Sequence, residues 1–380
     1  MLLGLSCSGK DRSVQPGAGN VDAYLDLLSG KRIGIVANHT SLLEGVHLVD
    51  TLVALSSSGN FEICRIFSPE HGFRGTADAG EEVGNKVDGK TGIPVISLYG
   101  KNKKPAAEQL ESLDLVIFDI QDIGVRFYTY ISTLHYVMEA CAENNIPLIL
   151  LDRPNPNGNY VDGPVLQIEF SSFVGMHPIP VVYGLTMGEL AGMINGEGWL
   201  HGGVRCDLTV IPNVNYTHSS EYALPVKPSP NLPNQHSIRI YPSTCFFEGT
   251  VISEGRGTLF PFEVYGHPDL EGDFSFTPES IAGMSMSPKL KGEQCFGTDL
   301  RNFEPHDGWN SIELKWLLNA YNIFPEKDKF FLPYFEKLAG TDLLRKQIVS
   351  GLSEAEIRES WKPDIDAYML MRSKYLRYPE

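Results

Sequence analysis

Six short, unbroken apolar runs punctuate the first part of the chain, at 32–37 (RIGIVA), 62–67 (EICRIF), 94–98 (PVISL), 115–119 (LVIFD), 147–151 (PLILL) and 208–211 (LTVI). A strand exposed on one face alternates apolar and polar residues, whereas continuous runs suit strands covered on both faces, as in a parallel sheet. Between the runs lie amphipathic stretches. In 133–144, Leu134, Val137, Met138 and Cys141 recur at helical spacing. The repeating βα order predicts an α/β fold: a doubly wound, mainly parallel sheet with right-handed crossovers.

The pattern changes in the second half. Gly, Pro, Asn and aromatics dominate 225–287, and helical periodicity returns only at 312–318 and 364–376. This predicts a smaller α+β auxiliary domain rich in irregular loops, and the chain divides into a signal remnant or flexible N-terminus (1–20), a doubly wound α/β domain (21–221) and the auxiliary domain (222–380). A length of 380 residues with 42% apolar composition suffices for two packed cores.

Charge and composition narrow the function. Lys and Arg number 31 against 47 Asp and Glu, a balance of 31 − 47 = −16, so a nucleic acid would meet repulsion rather than a basic footprint. No apolar run approaches the roughly 20 residues that cross a bilayer. The six cysteines form neither a CxxC pair nor a disulfide-like framework, and HExxH is absent. The start, MLLGLSCSGKDRS, resembles the tail of a bacterial lipoprotein signal. In that reading Cys7 carries a lipid, and the protein sits in the cell envelope, periplasmic and membrane-anchored. The other reading is a ragged cytoplasmic N-terminus.

Ligands of open α/β sheets bind beyond the carboxyl ends of the strands. Three such places carry charged residues: SPEHGFRG at 68–75, DIQDIGVRFYTY at 119–130 and DRPNPNG at 152–158. Asn38 follows the first run on the same edge. Cleaving a glycosidic bond requires a carboxylic acid to protonate the leaving oxygen and usually a second carboxylate, and neighbouring strand ends can supply both. Glu70 is the best acid, flanked by Pro69, His71 and Phe73 in a partly apolar setting. His71 is a plausible catalytic partner and Asp122 the second carboxylate. Arg74, Arg126 and Arg153 suit an anionic substituent, and Tyr128, Tyr130 and Phe127 offer aromatic faces to a sugar.

Each residue also has a plainer reading. Asp119 and Asp152 can be helix caps or loop ion-pair partners, and Asp122 can cap the helix that follows it. His39, His177 and His236 read as structural. In the second domain, Glu248, Glu254 and Arg256 lie in CFFEGT and SEGRGT, which read equally as a ligand-facing loop or a buried brace. PSPNLP at 228–233 reads as a rigid connector, with Asn231 the residue most able to reach a ligand. GxGxxG does not occur after the first strand, so no nucleotide cofactor is implied despite the Rossmann-like rhythm. Glu70, Asp119, Asp122 and Asp152 could together hold a divalent metal, which keeps a metal-dependent deacetylase or esterase of cell-wall sugars as one alternative. A non-catalytic muropeptide-binding lipoprotein is another.

Eight ordered segments give a more specific signal: FSPEHGFRG, AGEEVGNKVDGKTGIPVISLYG, VIFDIQDIGVRFYTYISTL, LDRPNPNG, DGPVLQIEFSSFVGMHPIPVVYGLTMGEL, PSPNLP, YPSTCFFEGTVISEGRGT and PFE. From about residue 21 to its end the chain resembles the NamZ-type exo-β-N-acetylmuramidases, formerly a family of unknown function. The resemblance implies a glycoside hydrolase that releases N-acetylmuramic acid (MurNAc) from the non-reducing end of peptidoglycan fragments such as MurNAc–GlcNAc and muropeptides, without a cofactor. It implies a Rossmann-like catalytic domain, a smaller auxiliary domain and a cleft between them. The family's proposed catalytic glutamate falls on Glu70. Its other motif positions fall on Asp119, Asp122, Arg126, Tyr128, Tyr130, Asp152, Arg153, Asn155, Glu254 and Arg256. Two departures stand out: His39 where proline is common, and Phe127 where tyrosine is common.

Overall fold

A computed structural model describes residues 13–70, 72–74 and 86–380. The expectations placed on Cys7 and His71 lie outside the described residues. The main sheet has seven strands: β1 (Arg32–Ala37), β2 (Glu62–Ser68), β3 (Lys86–Val87), β4 (Pro94–Ser97), β5 (Leu115–Asp119), β6 (Leu148–Leu151) and β7 (Leu208–Ile211). Their order is β3-β4-β2-β1-β5-β6-β7, and every pair is parallel except the β3/β4 edge. The chain therefore winds outward in both directions from β1, as the apolar runs predict.

Register explains why those runs are unbroken. Ile35 of β1 pairs with Ile66 and Ile117, and Val36 with Phe67 and Phe118. Successive side chains point to opposite faces. Ile33, Ile35, Ile117 and Ile149 join one core with Leu48, Val49 and Leu52 of helix α1 (Leu48–Gly59), while Val36, Phe67, Phe118 and Leu150 join another. That second core holds α2 (Tyr130–Glu143) and α3 (Met187–Gly196). Thr186 caps α3, accepting the Glu189 N–H at 3.2 Å while the Glu189 carboxylate accepts the Thr186 N–H at 2.9 Å.

The second half is more helical than its composition predicts. Within the stretch read as irregular loops lies α4 (Gln235–Thr244), capped by Asn234, whose Oδ1 accepts the Ser237 N–H at 2.7 Å. Pro242 cannot donate to the Ile238 carbonyl, which instead accepts from Asn157 Nδ2 at 3.4 Å. Helix α5 covers Lys315–Ile323, and α6 covers Glu354–Arg372, beginning well before 364 because Pro363 is tolerated inside it. Beside these helices is a three-stranded antiparallel sheet of β8 (Val264–His267), β9 (Phe274–Phe276) and β10 (Cys295–Asp299), with β10 in the middle.

The C-terminal segment laces back onto the first lobe. Tyr368 donates its hydroxyl to the Tyr183 carbonyl at 2.5 Å, and Tyr378 donates to Asp152 at 2.7 Å. The strongest tie is Arg126, which is fully buried. Its guanidinium donates to the carbonyls of Pro164, Ile179, Leu338 and Ala339 at 2.7 to 2.9 Å. No carboxylate pairs with it among the described residues, and burial pushes its pKa down to about 9. Replacing Arg126 with Met strands the carbonyls of Pro164, Leu338 and Ala339, each costing about 1–3 kcal/mol when unsatisfied, while the Ile179 carbonyl keeps the Leu166 N–H. Arg126→Met is therefore expected to lose about 3 kcal/mol or more of stability, read as a lower urea midpoint; an unchanged midpoint would contradict this role.

Candidate active site

Loops leaving the carboxyl ends of β4, β2 and β5 meet the second lobe around a cavity of about 430 Å³. This is the strand-edge crevice where open α/β sheets bind ligands. Glu70, two residues past β2, is half-buried in its wall. Tyr128 and Tyr130 enter from the segment between β5 and α2, and Asn231, Glu248 and Arg256 enter from the second half of the chain. Of the residues expected from sequence, these six and Phe127 line the cavity together.

Their environments differ. Tyr128 donates to the Pro228 carbonyl at 2.7 Å, which fixes its ring edge-on to Tyr130, centroids 5.0 Å apart. The Tyr130 hydroxyl is buried without a partner of hydrogen-bond geometry, although Asn38 and Tyr128 lie close enough to act on its ionisation. Burial raises the pKa of both tyrosines, and the nearby Glu70 charge adds to it, so both phenols stay protonated. Asn231 donates to the Met284 carbonyl at 2.9 Å, but its buried Oδ1 accepts nothing. Asn38 lies behind the wall, accepting from the Thr40 N–H at 2.9 Å, with its Nδ2 unpartnered. These unpaired polar atoms are acceptors and donors without protein partners, the condition a ligand can relieve.

On the facing lobe, Arg256 donates to Glu248 Oε1 through Nε at 2.9 Å and a terminal nitrogen at 2.6 Å, and lies over the Phe262 ring at 5.0 Å. Burial works against its charge, yet Glu248 and Glu254 outweigh this and raise its pKa. Glu254 is buried behind it, 3.5 Å from Arg256. Lys289 Nζ stands 3.1 Å from Glu254 in ion-pair contact and donates to the carbonyls of Phe247, Thr250 and Ile252. Gly257, at φ 82°, passes so near the Glu279 carbonyl that a Cβ would lie 2.6 Å from it. The loop is thus both readings at once: Glu254 and Lys289 brace it, and Glu248 and Arg256 face the cavity.

The remaining expected residues lie elsewhere. Asp119 and Arg153 form a buried bidentate pair at 2.6 and 2.9 Å, so both are structural cross-braces between β5 and β6. Arg126 is the interlobe tie described above. Asp152 is buried under donors from Thr186, Gly188, Arg153 and Tyr378, and burial pushes its carboxyl up to about 6. Asn155 is buried, donating to the Leu185 carbonyl at 2.8 Å and pressed against Gly124, where a Cβ would meet it at 2.2 Å. Asp122 also lies behind the wall, bonded by the Tyr183 hydroxyl and, at 2.7 Å, the Gly124 N–H. Its Oδ1 has no partner, and burial, opposed by those bonds, moves its pKa up to about 6. Arg74 bridges Asp50 of α1 at 3.0 Å and Asp88, just past β3, at 2.8 Å, and is committed to that ion-pair cluster. With these carboxylates dispersed, the four-ligand metal site does not assemble: no group of three His, Cys, Asp or Glu is placed to hold a metal among the described residues.

Sequence reasoning missed Tyr99, Lys103, Phe173, Tyr241, Phe262 and Tyr334, all of which line the cavity. Tyr99 and Lys103 follow the third apolar run, and the rule applied to the other runs reaches them. Tyr334 has no local signal; the contact of Arg126 with Leu338 and Ala339 brings its segment there. Tyr334 senses both Glu248 and Glu70, so carboxylates from both lobes border one space. Tyr130→Phe is expected to keep stability within about 0.5 kcal/mol, because the deleted hydroxyl bonds nothing in the free protein, while kcat/KM falls about tenfold or more. A large loss of thermal stability with intact kcat/KM would show the hydroxyl to be structural.

Comparison with known proteins identifies close relatives. Residues 33–236 match the N-terminal, and residues 239–378 the C-terminal, part of the family described as exo-β-N-acetylmuramidase NamZ. The chain is 40% identical over 378 residues to the peptidoglycan β-N-acetylmuramidase NamZ of Bacillus subtilis (strain 168), covering 93% of this chain and 89% of that protein. Two crystal structures of DUF1343 family proteins from Bacteroides fragilis NCTC 9343 share the fold. One has a TM-score of 0.89 at 46% identity, covering 97% of this chain and 99% of its own. The other has a TM-score of 0.82 at 28% identity, covering 96% and 99%.

Proposed function

Because the chain belongs to the exo-β-N-acetylmuramidase NamZ family, we propose that it hydrolyses the bond linking a terminal MurNAc residue to the rest of a peptidoglycan fragment, with MurNAc–GlcNAc as the minimal substrate. The observation that carries this reading is the single cavity in which Glu70 of the sheet lobe faces the Glu248–Arg256 pair of the other lobe. Its volume suits one terminal sugar, consistent with exo action, and Tyr128, Tyr130, Tyr241 and Phe262 give it aromatic walls.

Glu70 is the general acid. It gives its proton to the glycosidic oxygen as the bond from that oxygen to the sugar's C1 breaks and the bonding electrons leave with the oxygen; a water then bonds C1, and the proton it sheds balances the one Glu70 gave up. The Glu248 carboxylate, held by Arg256, faces the positive charge that develops on the ring. It replaces Asp122 as the second carboxylate of the site; Asp122 positions the Tyr128 segment from behind. Asn231 Oδ1 and the Tyr130 hydroxyl are free to bond the sugar's polar substituents.

The MLLGLSC start supports a place for the enzyme in the cell envelope, with a lipid on Cys7. Cys7→Ala is expected to move the protein from the membrane to the soluble fraction, and native protein to carry an acyl group at Cys7; identical fractionation of both forms would remove the anchor. For catalysis, Glu70→Gln is expected to fold normally and to release MurNAc from MurNAc–GlcNAc at least about 100-fold more slowly, in line with general acid catalysis. Turnover near that of the wild type would remove Glu70 from the mechanism.

A further inference from the structure

The cavity contains a cation that neither the fold nor the proposed bond cleavage uses. Adjacent lysines in the loop after β4 have opposite fates. Lys104 is neutralised by Glu139 at 2.6 Å and Glu143 at 2.7 Å. Lys103 lines the cavity, with its Nζ 4.2 Å from the centre of the Phe173 ring and no carboxylate within ion-pair distance among the described residues. The other cavity cation, Arg256, is already committed to Glu248 and Glu254. Arg74, Arg126 and Arg153, the remaining arginines expected at the site, are spent on Asp50 and Asp88, on backbone carbonyls and on Asp119.

The position of Lys103 is built rather than incidental. Asn102 donates to the Ser97 carbonyl at 2.8 Å and ties the loop to the end of β4. The Phe173 platform is held by Ser132, which donates to its carbonyl at 2.7 Å, and by the Tyr136 ring stacked on it. An ammonium resting on an aromatic face keeps its donors for an anion, because the ring satisfies its charge without accepting its hydrogen bonds in full. In a chain of net charge −16, with Glu70 and Glu248 in the same cavity, an anionic sugar can be accepted only where a cation remains uncommitted.

Resting on the proposed muramidase activity, we propose that Lys103 is a specificity-determining residue that binds the free carboxylate of the lactyl ether on the terminal MurNAc. It thereby separates MurNAc from the same sugar with that carboxylate masked. A charge-assisted hydrogen bond contributes about 1.5–3 kcal/mol, equivalent to roughly a 10- to 100-fold change in kcat/KM.

The test compares MurNAc–GlcNAc with its lactyl methylamide, using wild type, Lys103→Met and Lys103→Arg. Wild type is expected to prefer the free acid. In Lys103→Met, kcat/KM for the acid should fall about 10- to 100-fold, mostly through KM, while the amide changes by no more than about threefold, so the preference disappears. Lys103→Arg should restore most of it. An acid-over-amide preference that survives in Lys103→Met, or equal losses on both substrates, would overturn the assignment of Lys103 while leaving the muramidase activity standing. Failure of wild type to cleave either substrate would overturn the activity itself, and this inference with it.

Discussion

Four carbonyl groups from three separated segments converge on the guanidinium of Arg126, and the cleft exists because of that convergence. Pro164 and Ile179 belong to the long connection between β6 and α3, whereas Leu338 and Ala339 belong to the C-terminal part of the chain. A buried cation without a counter-ion is costly, and only the simultaneous presence of all four acceptors makes it tolerable. The lobes are thereby locked in one arrangement, which puts Tyr334 across from Glu70. Hydrophobic burial drives association of the lobes, but it is not directional. Arg126 supplies the direction.

The economy of charge follows the same logic. An acidic protein that handles an anionic sugar must keep most of its cations out of reach of the ligand, or the fold would compete with it. Asp119 silences Arg153, Asp50 and Asp88 silence Arg74, and Glu248 and Glu254 hold Arg256 at the wall. Arg74 is more than inert: it ties its own position to Asp88, whose pKa it depresses. The cavity's chemistry is set as much by which cations are neutralised as by which carboxylates are present.

How much of this was legible in the sequence depends on the residue. Buried parallel strands write continuous apolar runs, so β1, β5 and β7 coincide with theirs, and the carboxyl-edge rule led straight to Glu70, Tyr128 and Tyr130. The same rule could not separate Asp119 from Glu70, because a strand-end carboxylate that braces and one that reacts differ only in what the next strand presents. Arg153 is that difference. Helix α4 escaped notice because its cap, Asn234, and its internal Pro242 belong to the vocabulary of loops; Asn157, distant in sequence, takes up the carbonyl the proline cannot bond. Lys103 was legible in principle, one apolar run away from Glu70. Tyr334 was not, since only tertiary contacts bring it to the cleft.

Catalysis by this cavity depends on the geometry between Glu70 and the scissile bond. A crystal structure of the Glu70→Gln variant with intact MurNAc–GlcNAc would test it most directly. The terminal sugar is expected inside the cavity, with the side chain at position 70 within about 3 Å of the glycosidic oxygen and Glu248 beneath the ring. A disaccharide seated elsewhere on the protein, or one in the cavity whose glycosidic oxygen lies beyond hydrogen-bond reach of position 70, would contradict it.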